Sequence, residues 1–184
     1  MAAGRRGRPG PFPAIGAPDQ TAMEHQSDPA AALMLALYQP DIPQNAGTML
    51  RACACLGLDA AIIEPAGFPV SDRHFRRAGM DYLDHVRIDR HISFADFELW
   101  RARAGRRLVL LTTSGAQNYC HFAYRPGDIL MVGRESAGAP ADVHEAADGR
   151  VVIPVRAGLR SLNVAVAAAM AMGEALRQLG EQQK

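Results

Sequence analysis

Short apolar runs without polar alternation constrain the fold of this chain more than any other feature. Residues 33–38, 60–63, 108–111, 129–132 and 151–153 are each almost wholly apolar. A strand with one face in water alternates in polarity, whereas a strand that is apolar throughout must be covered on both faces. Between these runs lie helical signals: residues 46–56 after Asn45, a short charged stretch at 71–78, residues 93–103 with Phe94, Phe97 and Trp100 at helical spacing, and an Ala-rich stretch at 161–179. A weak strand is expected at 84–88. The predicted fold class is α/β, a parallel sheet with helices on both faces.

Open α/β sheets place ligands at the carboxyl ends of their strands, where loops converge and backbone donors are free. The runs at 129–132 and 151–153 end in Gly133 and Pro154 and are followed by the last helix, so residues 128–179 are expected to hold most of the site. The first strand leads into Gln39-Pro-Asp-Ile-Pro-Gln-Asn45, with no G-x-G, and no P-loop, zinc spacing or H-E-x-x-H occurs elsewhere. A cofactor pocket therefore belongs to the C-terminal half, and no metal is expected.

At 184 residues and 48% hydrophobic content the chain has enough for one core. The net charge of +1 excludes a general polyanion binder, so any nucleic-acid contact must come from local clustering. Residues 73–107 supply one, with nine arginines against five acidic residues. Within it Arg101, Arg103, Arg106 and Arg107 read as a solvated helix end, and Asp41 and Asp72 read as loop residues. All basic residues except Lys184 are arginine, which with the abundant alanine reads as coding bias. The odd number of cysteines, Cys53, Cys55 and Cys120, reads as buried free thiols in a reducing cytoplasm. No apolar run approaches the ~20 residues that span a bilayer, and no apolar core of signal-peptide type follows the N-terminal arginines. Residues 1–32 are Pro, Gly and Ala rich without period, a disordered extension ahead of a single domain at 33–184.

Three stretches carry a resemblance: Asn45-Ala-Gly-Thr-Met-Leu-Arg51, Leu130-Met-Val-Gly-Arg-Glu-Ser-Ala-Gly-Ala-Pro140, and Ile153-Pro-Val155 through Ser161-Leu-Asn-Val164. In order and spacing they resemble the three motifs of the SpoU branch of the SPOUT RNA methyltransferases. Residues 39–45, Ile63-Glu-Pro65, Arg76-Arg-Ala-Gly-Met-Asp-Tyr82 and Leu111-Thr-Thr113 are similar to the compact members that modify the anticodon wobble nucleotide of tRNA. The resemblance covers residues 33–180. It implies a C-terminal trefoil knot, a cytoplasmic homodimer, tRNA as partner, with neither DNA nor a membrane, and methyl transfer from S-adenosylmethionine to a ribose 2′-hydroxyl without a metal. Another tRNA or ribosomal RNA position is the second reading, and a non-catalytic RNA-binding relative the third. Arg134 stands where this subfamily usually has Pro, Ala139 replaces a larger aliphatic, and Val164-Ala-Val166 stands where a second Asn is common.

By that resemblance Arg51, Asn45, Glu135, Ser161 and Asn163 are catalytic. Leu111, Thr112, Gly133, Glu135, Ile153, Ser161 and Leu162 hold the cofactor, and Arg51, Arg76, Arg77 and Tyr82 bind RNA. An arginine stays protonated at neutral pH and is a poor general base, which favours Arg51 as a phosphate clamp and stabiliser of the developing alkoxide. Gly133 is expected to let backbone approach the adenosine. An N-cap role alone explains Asn45, and helix capping alone explains Ser161 and Asn163. The alanines Ala165, Ala167, Ala168, Ala169 and Ala171 offer a smooth face for a partner helix or for burial within one chain.

Overall fold

The computed structural model describes residues 33–69, 75, 77, 80–115 and 117–182. The elements are β1 (Met34–Tyr38), α1 (Pro43–Leu56), β2 (Asp59–Ile63), a 3-10 helix (Met80–His85), β3 (Ile88–His91), α2 (Phe94–Ala104), β4 (Leu108–Leu111), β5 (Gln117–Asn118), β6 (Ile129–Val132), α3 (Ala141–Ala146), β7 (Gly149–Val152) and α4 (Val164–Gln182). The strands form one sheet in the order β3-β2-β1-β6-β4-β7-β5, with every pair parallel.

The continuous apolar runs are explained by burial on both faces. Successive residues of a strand point to opposite sides. Leu35 and Leu37 of β1 pack with Leu130 of β6 on one side, against Leu50 and Cys53 of α1 and Ala168 and Met172 of α4. Met34, Ala36 and Tyr38 pack with Ile129 and Met131 on the other, against Phe97 of α2 and Val143 of α3. Register aligns the carboxyl ends of the central strands: Val132 of β6 stands beside Leu37 of β1 and Leu111 of β4, and Leu111 beside Val151 of β7.

Several expectations need correction. The third strand runs over Ile88–His91, because residues 80–85 wind into the 3-10 helix. Helix α1 starts at Pro43 with Ile42 as its N-cap, since the fixed φ of proline suits the first helical position. Asn45 therefore sits in the first turn and is no cap. Helix α4 starts at Val164, which leaves Ser161 in the preceding loop, also not a cap; the Asn163 side chain does cap, accepting from the amides of Ala165 (2.9 Å) and Val166 (3.3 Å). Strand β5 and helix α3 were not anticipated, being too short to show periodicity. The expected helix at 71–78 falls mostly outside the described residues, as do Arg76 and Asp72.

The alanine face of α4 turns inward: Ala165, Ala168 and Ala171 are buried in this chain's own core. All three cysteines are free, but only Cys53 is buried. Burial pushes the Cys53 thiol up to about 12. Arg101, Arg106 and Arg107 are not a solvated helix end either. Arg101 pairs with Glu98 (2.7 Å) and Asp148 (2.8 Å), Arg107 pairs with Asp128 (2.6 Å), and the 8% exposed Arg106 donates to the Gly127 carbonyl (2.8 Å). Arg103 alone of the four is exposed without such a pair among the described residues.

Candidate active site

Four loops leave the carboxyl ends of β1, β4, β6 and β7, and the last three surround a cavity of about 420 Å³. The β4 loop contributes Leu111 and Thr112, the β6 loop Gly133, Arg134, Glu135 and Gly138, and the β7 loop Ile153, Pro154, Arg160, Ser161 and Leu162. Every residue expected to hold the cofactor lines this one space. Its size is that of a small-molecule pocket, ~300–1,000 Å³. Apolar walls from Leu111, Val132, Ile153 and Leu162, with polar groups at Thr112, Glu135 and Ser161, suit a nucleoside carrying an amino-acid tail.

Three of the expected catalytic residues form a hydrogen-bonded line. Asn163 donates through Nδ2 to Asn45 Oδ1 at 3.1 Å, and Asn45 donates through Nδ2 to the Glu135 carboxylate. The line joins the starts of α1 and α4 to the turn after β6, segments 118 and 90 residues apart. Asn45 can make this link because it is inside the first turn of α1, where its side chain is not spent on capping.

The turn at 134–138 is closed by two reciprocal bonds, Arg134 N–H to Gly138 O (3.0 Å) and Gly138 N–H to Arg134 O (2.8 Å). That closure gives Gly133 a further role. A Cβ there would come within 2.5 Å of the Gly138 carbonyl carbon and 2.6 Å of the Ala139 nitrogen. The missing side chain makes room for the protein's own backbone, while Gly133 also lines the cavity. Gly115, not singled out from the sequence, serves the β4 loop likewise: its Cβ would stand 2.6 Å from the Val151 carbonyl carbon.

Arg51 and Tyr82 do not line the cavity. Arg51 is on the solvent side of α1, with its guanidinium 4.7 Å from the centroid of the Tyr82 ring on the 3-10 helix, a cation–π pair. Arg77 is exposed. The structure thus sets Glu135 and Ser161 on the cavity wall, ties Asn45 and Asn163 to it through the Glu135 carboxylate, and pairs Arg51 of α1 with Tyr82 of the 3-10 helix away from it. Among the described residues no group of three or more His, Cys, Asp or Glu could hold a metal, and no helix is long and apolar enough to cross a membrane.

Sequence reasoning missed Asp41, which holds the turn after β6 from the end of the neighbouring strand β1, and Arg160 on the cavity wall. Asp41 gave no local signal because its partners lie 94 and 95 residues away.

The SpoU rRNA methylase family model matches residues 32–173. The tRNA (cytidine(34)-2′-O)-methyltransferase of Beijerinckia indica is 71% identical over 147 residues, 80% of this chain and 92% of that one. A solved structure described as giving insights into the 2-OH methylation of C/U34 on tRNA superposes with a TM-score of 0.77 at 42% identity, covering 81% of this chain and 97% of that chain. An AdoMet-bound rRNA methyltransferase from Sinorhizobium meliloti superposes at 0.76 with 26% identity, covering 82% and 57%. On a match of this extent, with two of the family's three motifs lining one cavity and the first hydrogen-bonded to it through Asn45, the chain belongs to the SpoU rRNA methylase family.

Proposed function

We propose that this enzyme methylates the ribose 2′-hydroxyl of the wobble pyrimidine nucleotide of tRNA, with S-adenosylmethionine as methyl donor. The observation that carries the reading is a nucleoside-sized cavity with Glu135 on its wall, held there by the Asn163–Asn45–Glu135 line. The 71% identical relative supports the tRNA target.

Leu111, Thr112, Gly133, Ile153, Ser161 and Leu162 are the residues that would hold the cofactor. When bound, S-adenosylmethionine supplies a methyl group made electrophilic by its sulfonium. The chain's part is to position the ribose for in-line attack, which lowers a barrier by several kcal/mol. Asn45, itself held by Asn163, fixes the Glu135 carboxylate as an acceptor on the cavity wall. Arg51 holds the substrate phosphate and stabilises negative charge developing on the 2′-oxygen. Arg76, Arg77 and Tyr82 complete the RNA-binding set, and the Tyr82 ring packs against the Arg51 guanidinium.

The reading includes a homodimer, a trefoil knot in the C-terminal half, a cytoplasmic location, a single domain at 33–184 and no metal. The outer face of α4 supports the dimer, since Val166 is 50% and Met170 36% exposed beside exposed Leu159 and Leu162. Association through this face offers Arg51 a route to the cavity of the other copy.

The test is methylation of unmodified tRNA by the purified protein, followed by nucleoside mass spectrometry. We expect a 2′-O-methylated pyrimidine at the wobble position, and an unmodified wobble nucleotide would reject the substrate. The likeness to an rRNA methyltransferase favours ribosomal RNA as the second reading, and rRNA offered in the same assay decides between them.

A further inference from the structure

Asp41 lies in the loop between β1 and α1 and is not among the residues that line the cavity. Its side chain is only 15% exposed, and both carboxylate oxygens are taken. Oδ1 accepts the Glu135 amide at 3.0 Å; Oδ2 accepts the Ser136 amide at 3.1 Å and the Ser136 hydroxyl. Arg134 adds charge, with Nε 3.9 Å from Oδ2. Two successive amides aimed at one anion form a small backbone nest. Here the anion comes from the protein itself, on a loop 94 residues earlier in the chain.

The consequence falls on Glu135, which is gripped at two points. Its side chain takes the Asn45 hydrogen bond, and its backbone is held by Asp41. The internal closure of the turn, Arg134 to Gly138, sets the turn's shape but not its tilt relative to the cavity. Asp41 supplies the tilt, because its bonds run from a different strand end. Charge-assisted bonds of this kind are about twice as strong as neutral ones.

We infer that Asp41 is a positioning residue for methyl transfer: it ties the turn at 134–138 to the β1 loop, so that Glu135 faces Asn45 and Arg134 stays on the cavity wall. For its effect on catalysis this rests on the proposed function, whereas its effect on the turn does not.

The test uses Asp41→Asn, which keeps the shape but sets an amide group against donors, together with Asp41→Glu and Ser136→Ala. Amide hydrogen exchange on the protein without ligand should quicken by about 10- to 100-fold at Glu135 and Ser136 in Asp41→Asn, with strand amides unchanged. S-adenosylmethionine affinity by calorimetry should fall about 10-fold and kcat by about 10- to 100-fold, with the melting temperature within a few degrees of wild type. Asp41→Glu should recover part of the loss. In a Glu135→Ala background Asp41→Asn should cost less than about 3-fold further, because the residue it positions is gone.

Wild-type exchange at both amides would overturn the inference. So would a multiplicative loss in the double variant, or a general fall in melting temperature without selective exchange at 135 and 136. If wild-type protein fails to methylate any tRNA, the proposed function fails instead, and the exchange and calorimetric readings still decide the role of Asp41.

Discussion

The two ends of the same parallel sheet handle charge in opposite ways. At the amino ends the charges of Asp128 and Asp148, one buried and one exposed, both close on other groups of the protein. Asp128 heads β6 at 1% exposure and takes two bonds from Arg107, at 2.6 and 2.8 Å, and one from the Arg125 amide at 2.9 Å. Asp148, just before β7, accepts the Leu108 amide and Arg101, both at 2.8 Å. At the carboxyl ends the polar groups also form a line, but it ends on Glu135 in a cavity wall that carries exposed Arg134 and Arg160. A buried charge must find its partner within the fold, whereas a group at a cavity mouth can complete its bonding with a ligand. One edge therefore holds the sheet together and the other is available for chemistry.

This division is open to direct attack. Arg51→Ala should give the largest effect, a loss of about 10²- to 10³-fold in kcat. Steady-state methylation reads the rate, and calorimetry should show S-adenosylmethionine affinity within about 3-fold of wild type. An equal fall in affinity would mean that Arg51 belongs to the cavity after all. At the opposite edge, Arg107→Ala leaves Asp128 buried with its main partner gone and should cost about 3 kcal/mol in urea unfolding, with KM for both substrates unchanged in the folded fraction.

Gly133→Ala tests whether the carboxyl edge tolerates crowding. A methyl 2.5 Å from the Gly138 carbonyl carbon must push the turn outward. A stability loss of about 1–3 kcal/mol together with weaker cofactor binding is expected; loss of stability alone would detach the turn from the site.

The smallest effect is in acid. Burial works upward on the Asp41 carboxyl, but the bonds from Ser136 and the amides of Glu135 and Ser136 outweigh it and hold the group below its ordinary 3.8. A depressed folded value means that the unfolded chain takes up the proton first. The stability from this tie is thus present above 3.8 and lost as pH falls below it through the folded value. Exchange at the amides of 135 and 136, corrected for intrinsic rates, should match at pH 7 and pH 5 and quicken only below pH 4. Quickening already at pH 5 would show that Asp41 is not held in its charged form.

Much of this architecture was legible from residues 33–38, 108–111 and 129–132, because a continuously apolar strand has no solution except burial on both faces. The lining of one cavity was legible through the resemblance, since all seven residues it names for a cofactor line that space. The arginines were not legible. Arg106 and Arg134 look alike in a sequence, yet one is 8% exposed and bonded to a carbonyl, while the other lies on the cavity wall. Burial depends on which strands become neighbours, and local composition does not carry that information.

The sequence by itself determined the α/β class, the order of the motifs and the half of the chain that builds the pocket. These follow from local rules of periodicity and turn chemistry, each acting over a few residues. Only the tertiary structure decided that β6 lies between β1 and β4. That order brings Asn45, Glu135 and Asn163 within hydrogen-bonding reach and lets Asp41 hold a turn 94 residues away. Hydrogen bonds need donor and acceptor within about 3 Å, and between distant segments strand order and register alone set that distance.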